Sequence, residues 1–506
     1  MTSPSTSDRR VPLALAVALV GYAVFLALAG SHGAGGSDSA GYVGSARLLF
    51  HGQTAVPVRM PEGIALDRRT AAVFIPLGFA QGRVLGTMSP SYPVGFPLHM
   101  LLMALLAGER VGPFLVVPVA SAVALALLYA MARELGLSQR GSLLGVALLA
   151  ICPTWLLLSL QPMSDVPAST WALAALLLAM RAGRGDGHAA AAGFALGVAV
   201  IVRPSNALLA LPLAAVLPWR WRRIVAFGLG GLPVLALLLT YNWLSYGSPL
   251  MSGYGPASQA HEMFQLGYFP VRFRHYGFWT CAALGPWIVA GWLASLAMRG
   301  IPSDTRLLLA LWFLPAFLFH CFYMPYEPWW FTRFFLPGFP ALIIGALLAA
   351  REIARHSSKR VSSGVMRAGL ATSVALVLAW PTVASAKLDV LKIGYLESIY
   401  PEAVEWARSR VPERSIVLAS QMSGAIFLYS DRIVANPGKL SERRLLKLRE
   451  VSLAHGYDWY ALMIPSEARA LSQETDGRWV KVGEIRNVSL WKLEPSARRV
   501  GAGSTG

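Results

Sequence analysis

The sequence predicts a polytopic α-helical membrane protein of about eleven spans with a small C-terminal α/β domain. Three observations predict it. First, 55% of the 506 residues are hydrophobic and only 14% are charged, with a mean hydropathy of +0.52, whereas soluble domains carry roughly a quarter charged residues. Second, the apolar residues fall in blocks long enough to cross a hydrocarbon layer of ~30 Å, which takes ~20 helical residues. No water reaches the backbone there, so spans of this kind are helical; the alternation of a transmembrane barrel is absent. Third, the net charge of +18 is unevenly placed. Residues 388–506 hold 17 Lys and Arg against 14 Asp and Glu, so most of the surplus lies among the apolar blocks, between their ends. That is the pattern of membrane topology rather than of a nucleic-acid surface.

The elements follow in order. Arg9 and Arg10 place residues 1–10 in the cytoplasm, and residues 11–30 cross outward. Without a clear small-residue cleavage site, this reads as a retained first span rather than a signal peptide. Residues 31–111 form a long first outer loop rich in Gly, Pro and Arg. Its apolar run 92–107 is short and carries Pro93, Gly95, Pro97 and His99, so it reads as a surface helix. Later spans are expected at 112–132, 141–160, 167–180, 189–202, 205–218, 224–240, 278–298, 307–323, 334–350 and 368–386. With these, Arg133, Arg140, Arg181, Arg184, Arg220, Arg222, Arg223, Arg299, Arg306, Arg351, Arg355, Lys359, Arg360 and Arg367 all fall inside, as the positive-inside rule requires. The transmembrane domain thus covers 11–387.

The tail leaves on the outer side. Residues 388–495 read as an α/β domain, with a helix over 401–410 and strands in the apolar runs 415–419, 459–464 and 479–493. Residues 496–506 read as a disordered tail. Cys152, Cys281 and Cys321 all lie in apolar segments, which argues against a disulfide framework. High Ala, Leu, Gly and Arg use points to a bacterium with a GC-rich genome, and so to its inner (plasma) membrane.

With this topology the outer side gathers Asp38, Asp165, Arg203, Glu327 and Arg333, together with Tyr241, Asn242, Trp243 and Tyr246. Ionisable groups near hydrocarbon are costly and face a cavity or a partner. Arginine grips phosphate with a fixed fork of donors, and a carboxylate at an aqueous mouth can act as a general base. Each residue also has a plainer reading: Asp165 as a helix cap, the arginines as interfacial side chains, and Tyr326, Trp329, Trp330 and Phe331 as an interface belt.

The order of short motifs resembles the GT-C glycosyltransferases that use lipid-phosphate sugars: the protein O-mannosyltransferases, the lipid A aminoarabinose transferase and the rhizobial lipopolysaccharide core transferases. Ser37-Asp38-Ser39-Ala40-Gly41-Tyr42 matches the family's acidic opening of the first outer loop, with Ser39 where a second acid is common. Tyr92-Pro93-Val94-Gly95-Phe96-Pro97 matches its second signature. Ser164-Asp165-Val166-Pro167, Arg203-Pro204 and Arg333-Phe334-Phe335-Leu336-Pro337 match three later ones. The resemblance covers most of 11–350, and the tail fits loosely.

It implies an inverting transfer of a sugar from a polyprenyl-phosphate donor to an acceptor hydroxyl on a glycan, lipid or protein, at the outer face. Asp38 would be the base. Arg203, Arg333 and Arg272 or Arg274 would hold the leaving phosphate, with Asp165, Tyr42, Tyr92 and Glu327 also in the substrate site. Family members differ in metal use, which leaves a divalent ion on Asp38 and Asp165 open. The competing reading is a transporter or flippase of a lipid-linked or anionic substrate; the sequence shows no internal repeat of the kind many transporters carry.

Overall fold

The computed structural model describes residues 6–255, 262–357, 362–439, 442–474 and 478–494. The side chains of Arg9 and Arg10, Lys359, Arg360 and the tail 496–506 lie outside the description. In chain order, the first part comprises α1 (Thr6–Ala29), α2 (Ser37–Phe50), β1 (Val56–Pro57), α3 (Arg68–Val73), β2 (Phe79–Gln81), β3 (Thr87–Pro90), α4 (Gly95–Ala107), α5 (Gly112–Glu134), α6 (Gln139–Ile151), α7 (Pro153–Ser159), α8 (Asp165–Met180), α9 (Asp186–Val202), α10 (Ala210–Val216) and α11 (Trp221–Tyr246). There follow α12 (Phe269–Leu284), α13 (Pro286–Ala297), α14 (Ser303–Cys321), a 3-10 stretch Trp329–Gly338, α15 (Phe339–Ser357), α16 (Ser363–Lys387), α17 (Ile393–Glu397) and α18 (Ile399–Arg408). The tail continues as β4 (Ser415–Leu418), α19 (Ser423–Tyr429), β5 (Ile433–Ala435), α20 (Glu442–Ala454), β6 (Asp458–Met463), α21 (Pro465–Glu474), β7 (Arg478–Ile485) and β8 (Val488–Glu494).

Among the described residues seven helices are long and apolar enough to cross a membrane, or nine if each of two bent pairs is one span. The protein is a multi-pass membrane protein. The bent pairs have local causes. Pro153 begins α7 and turns it 65° from α6, and Gly285 (φ 94°) followed by Pro286 turns α13 by 106° from α12, because proline removes a helix donor and clashes with the preceding turn. The difference from eleven lies in 186–202 and 204–216, the expected fifth and sixth spans. Each is apolar but short: the 17 residues of α9 reach about 26 Å. The run expected as a surface helix is α4, with 13 residues.

The chain forms two compact units. The first comprises 1–30, 93–240 and 256–394. Its centre is the antiparallel pair α8 and α9. Buried alanines line both helices, Ala168, Ala172, Ala175 and Ala179 on one and Ala189, Ala192, Ala195 and Ala199 on the other, and such small residues let backbones approach closely where lipid gives no hydrophobic drive.

The second unit gathers 31–92, 241–255 and 395–506. Residues 31–92, which the sequence assigns to the transmembrane domain, therefore cluster with the tail. A five-stranded sheet runs β5-β4-β6-β8-β7, with β5, β4 and β6 parallel and β6, β8 and β7 antiparallel. The expected strand 479–493 is a hairpin: Ile485 pairs with Val488 around Arg486, which takes φ 52°. A small sheet β1-β3-β2 from the first loop supplies Phe79 and Met88, joined by Val58 just after β1, to the same core as Ile416, Trp459 and Met463.

Candidate active site

In the second unit, Asp38 sits in the first turn of α2, where the helix dipole favours a carboxylate. The Tyr92 hydroxyl donates to Asp38 Oδ1 at 2.7 Å. Ser37 Oγ lies 2.7 Å from the same phenol oxygen. Tyr92 has one proton, committed to an acceptor-only carboxylate, so Ser37 must donate to Tyr92. The chain Ser37 to Tyr92 to Asp38 fixes one oxygen of the carboxylate. Burial, then the Asp38 charge, pushes the Tyr92 phenol well above its ordinary value, which keeps it a donor.

Packing holds Tyr92 in place. Its ring lies 5.0 Å from that of Tyr42 and 6.0 Å from that of Tyr254. Gly41 makes the approach possible: a Cβ there would come within 2.4 Å of the Tyr92 ring. Further along, the Tyr246 hydroxyl, on the last turn of α11, donates to the Pro90 carbonyl at the end of β3. Asn242 donates to the Pro249 carbonyl at 3.0 Å, closing the loop after that helix.

In the first unit, a buried carboxylate meets two guanidiniums. Asp165 opens α8 and Arg203 caps α9. The two helices are antiparallel and of nearly equal length, 16 and 17 residues, which brings start and end to one level. Pro204 forces the residue before it into extended backbone (φ −148°, ψ 107°), ending α9, and Arg203 Nη1 donates to Asp165 Oδ1. Arg333 Nη1, on the 3-10 stretch, stands 4.0 Å from Asp165 Oδ2. That oxygen is buried without a hydrogen bond among the described residues. Both guanidiniums also lie over the Phe334 ring, at 5.6 and 5.8 Å, and His320 stacks on it at 5.0 Å. The Thr154–Thr332 hydrogen bond of 2.9 Å pins the 3-10 stretch to α7 one residue before Arg333.

Not every expected residue joins these groups. Arg272 is buried, but its guanidinium donates to the Tyr326 carbonyl, which gives it a structural task on the aromatic segment. Arg274 and Glu327 are exposed, with no contact to Asp165. Tyr254 and His320 were missed in the sequence, while Ser37 and Phe334 entered only as members of their motifs, with no role of their own. Aromatic residues abound there, and nothing local marks Tyr254 or His320.

The surroundings of Asp165 do not suit a divalent cation, since the nearest charged groups are two guanidiniums. No group of three His, Cys, Asp or Glu able to hold a metal occurs among the described residues.

A family model described as dolichyl-phosphate-mannose-protein mannosyltransferase matches residues 90–246. No curated protein sequence matches. The solved structures that are similar over nearly the whole chain include the following two. ArnT from Cupriavidus metallidurans bound to undecaprenyl phosphate superposes with a TM-score of 0.57 at 15% identity, covering 94% of this chain and 97% of that one. The oligosaccharyltransferase AglB from Archaeoglobus fulgidus, in complex with an inhibitory peptide and a dolichol-phosphate, has a TM-score of 0.56 at 12% identity, covering 99% and 76%. The chain has the GT-C glycosyltransferase fold.

Proposed function

We propose that this protein is an inverting glycosyltransferase that moves a sugar from a polyprenyl-phosphate donor to an acceptor hydroxyl at the outer face of a bacterial plasma membrane. The observation that carries this reading is the pair of arginines converging on buried Asp165. Two guanidiniums, of Arg203 and Arg333, stand against the one carboxylate of Asp165, an electropositive set suited to a second anion. A phosphate leaving group is such an anion, and fixed donors aimed at developing charge are usually the largest catalytic term. Two structures of the same fold hold polyprenyl phosphates, and the matched family takes a lipid-phosphate sugar, which supports the donor class.

The step balances simply. The acceptor oxygen attacks the anomeric carbon while its proton passes to Asp38. The bond from that carbon to the phosphate oxygen breaks, and the electron pair stays on the phosphate. Arg203 and Arg333 hold the added charge, and Asp165 keeps the two guanidiniums oriented. The donor oxygen leaves as an already acidic phosphate, so no strong acid is needed. No step runs through a metal ion.

The test is transfer in proteoliposomes, with labelled polyprenyl-phosphate sugars and a crude envelope acceptor. Wild type should move label to acceptor. Asp38→Asn should abolish transfer with donor binding retained, whereas Arg203→Ala should weaken donor binding. Full transfer by Asp38→Asn would remove the base assignment. Label crossing the bilayer without transfer, unchanged by Asp38→Asn, would favour the flippase reading.

A further inference from the structure

Within the second unit, the turn joining β2 to β3 (residues 82–86) carries side chains that a water-exposed hairpin tip does not normally carry. Val84 is 63% exposed and Leu85 49%. Turn tips favour Gly, Asn and Asp, and exposed apolar residues that join others in a patch mark a contact surface. The tip is well formed: Gly82 N donates to the Thr87 carbonyl at 2.9 Å, and both Thr87 N (3.1 Å) and Thr87 Oγ1 (2.7 Å) donate to the Val84 carbonyl. The exposed side chains therefore stand on an ordered turn.

What covers them is indicated by where the turn is fastened. Arg83 N donates to the Ser245 carbonyl at 3.0 Å, and the Arg83 guanidinium lies 5.3 Å from the centre of the Trp243 ring. Both partners lie in the last turn of α11. That helix is among the most lipid-suited in the chain, with a mean hydropathy of 2.1 over its apolar window and little of its surface buried. Its 26 residues reach about 39 Å, more than a ~30 Å hydrocarbon core, so its ends stand in the headgroup layers. Trp243 and Leu244 are half exposed on that last turn, and Leu250 just beyond it is 81% exposed. Tryptophan with flanking apolar residues and an arginine is the composition of a membrane interface.

We infer that the β2–β3 turn is a membrane anchor: Val84 and Leu85 enter the headgroup–acyl boundary beside the end of α11, and Arg83 meets lipid phosphate. The occupant is bilayer lipid rather than a protein or a second copy. This assignment is independent of the reaction proposed above.

The test uses the full chain in proteoliposomes. Cys152, Cys281 and Cys321 are replaced by alanine, and single cysteines are placed as Val84→Cys, Leu85→Cys and, as an exposed control at the approach to β4, Glu413→Cys. Each is labelled with an environment-sensitive fluorophore, in vesicles with or without lipids carrying a quencher near the headgroup. Val84→Cys and Leu85→Cys should show emission shifted to the blue and lost with quencher lipid, while Glu413→Cys should show neither. Water-like, unquenched emission at 84 and 85 would overturn the anchor. Blue-shifted emission that quencher lipid leaves intact would overturn it too, by showing a protein partner there. Equal quenching at 413 would overturn its specificity. The two tip positions report independently if one variant fails to fold.

Discussion

At the scale of single residues, Tyr92 fixes one oxygen of the proposed base Asp38. The sequence marks Tyr92 as a substrate contact, yet its only proton is spent on Asp38. A positioning role is what that bond proposes, and the kinetics of Tyr92→Phe can tell the two apart. The ring stays, so the contacts with Tyr42 and Tyr254 are kept, while one hydrogen bond to a charged acceptor is lost. Such bonds are worth about 1.5–3 kcal/mol, so kcat should fall on the order of 10- to 100-fold with KM for donor and acceptor little changed. A raised KM at unchanged kcat would return Tyr92 to the substrate site. Ser37→Ala removes only the outer bond of the chain and should lower kcat by less. None of this was visible in the spacing of the motifs, because Ser37 and Tyr92 are 55 positions apart and meet only through folding.

At the scale of elements, the glycine of the Tyr92–Pro97 motif has a packing reason. A Cβ on Gly95 would lie 2.5 Å from the Ile201 carbonyl carbon and the Val202 nitrogen, in the peptide unit that precedes Val202 and Arg203. The first turn of α4 therefore rests on the end of α9. Trp171, on the helix that Asp165 opens, donates to His99 Nε2 at 2.8 Å, and His99 Nδ1 in turn bonds the Gly95 carbonyl at 2.6 Å. One short helix thus braces both members of the Asp165–Arg203 pair. Gly95→Ala must move one backbone or the other, at a stability cost of about 1–3 kcal/mol. Donor binding should weaken as in Arg203→Ala, read by titration of folded, monodisperse protein with polyprenyl phosphate. Unchanged affinity would show that α4 does not set the guanidinium.

The sequence places these elements well where one signal dominates. Arg203-Pro204 ends a helix by its own chemistry, and the long apolar helices follow from hydropathy. It fails where tertiary contacts decide. The bends at Pro153 and Gly285-Pro286 split two apolar runs that read as straight spans. Strand β5 is only three residues long, too brief to announce itself, and the β7–β8 turn is made by Arg486 at φ 52°, a residue that does not advertise a left-handed turn. Arg486 is held there by bonds to the Tyr395 carbonyl at 2.7 Å and to Ser398 Oγ at 3.0 Å.

At the scale of the whole molecule, the second unit is assembled from stretches that the membrane spans separate in sequence. Its main core takes Val58, Val73, Phe74, Ile75, Phe79 and Met88 from the first loop, and Ile416, Leu418, Trp459 and Met463 among others from the tail. Backbone N–H groups donate across the same seam: Asn436 N to the Val73 carbonyl at 2.8 Å, Leu77 N to the Ser423 hydroxyl at 3.0 Å, and Ala34 N to the Tyr429 hydroxyl at 2.9 Å. The tail is therefore half of a domain. Losing six large buried side chains forfeits on the order of 10 kcal/mol, an upper figure because unfolded chains already bury some surface, yet comparable with the whole stability of ~5–15 kcal/mol of a domain. Residues 395–494 expressed alone should consequently lack protected amides and a cooperative thermal transition. The same segment joined by a flexible linker to residues 31–92 should gain both. A cooperative transition in the isolated tail would show that the first loop merely decorates a self-sufficient sheet. The predicted outcome would mean that Asp38, on a helix of that loop, is held in place by a segment more than 350 positions downstream. Truncating the tail would then remove the proposed base's support without touching a single membrane span.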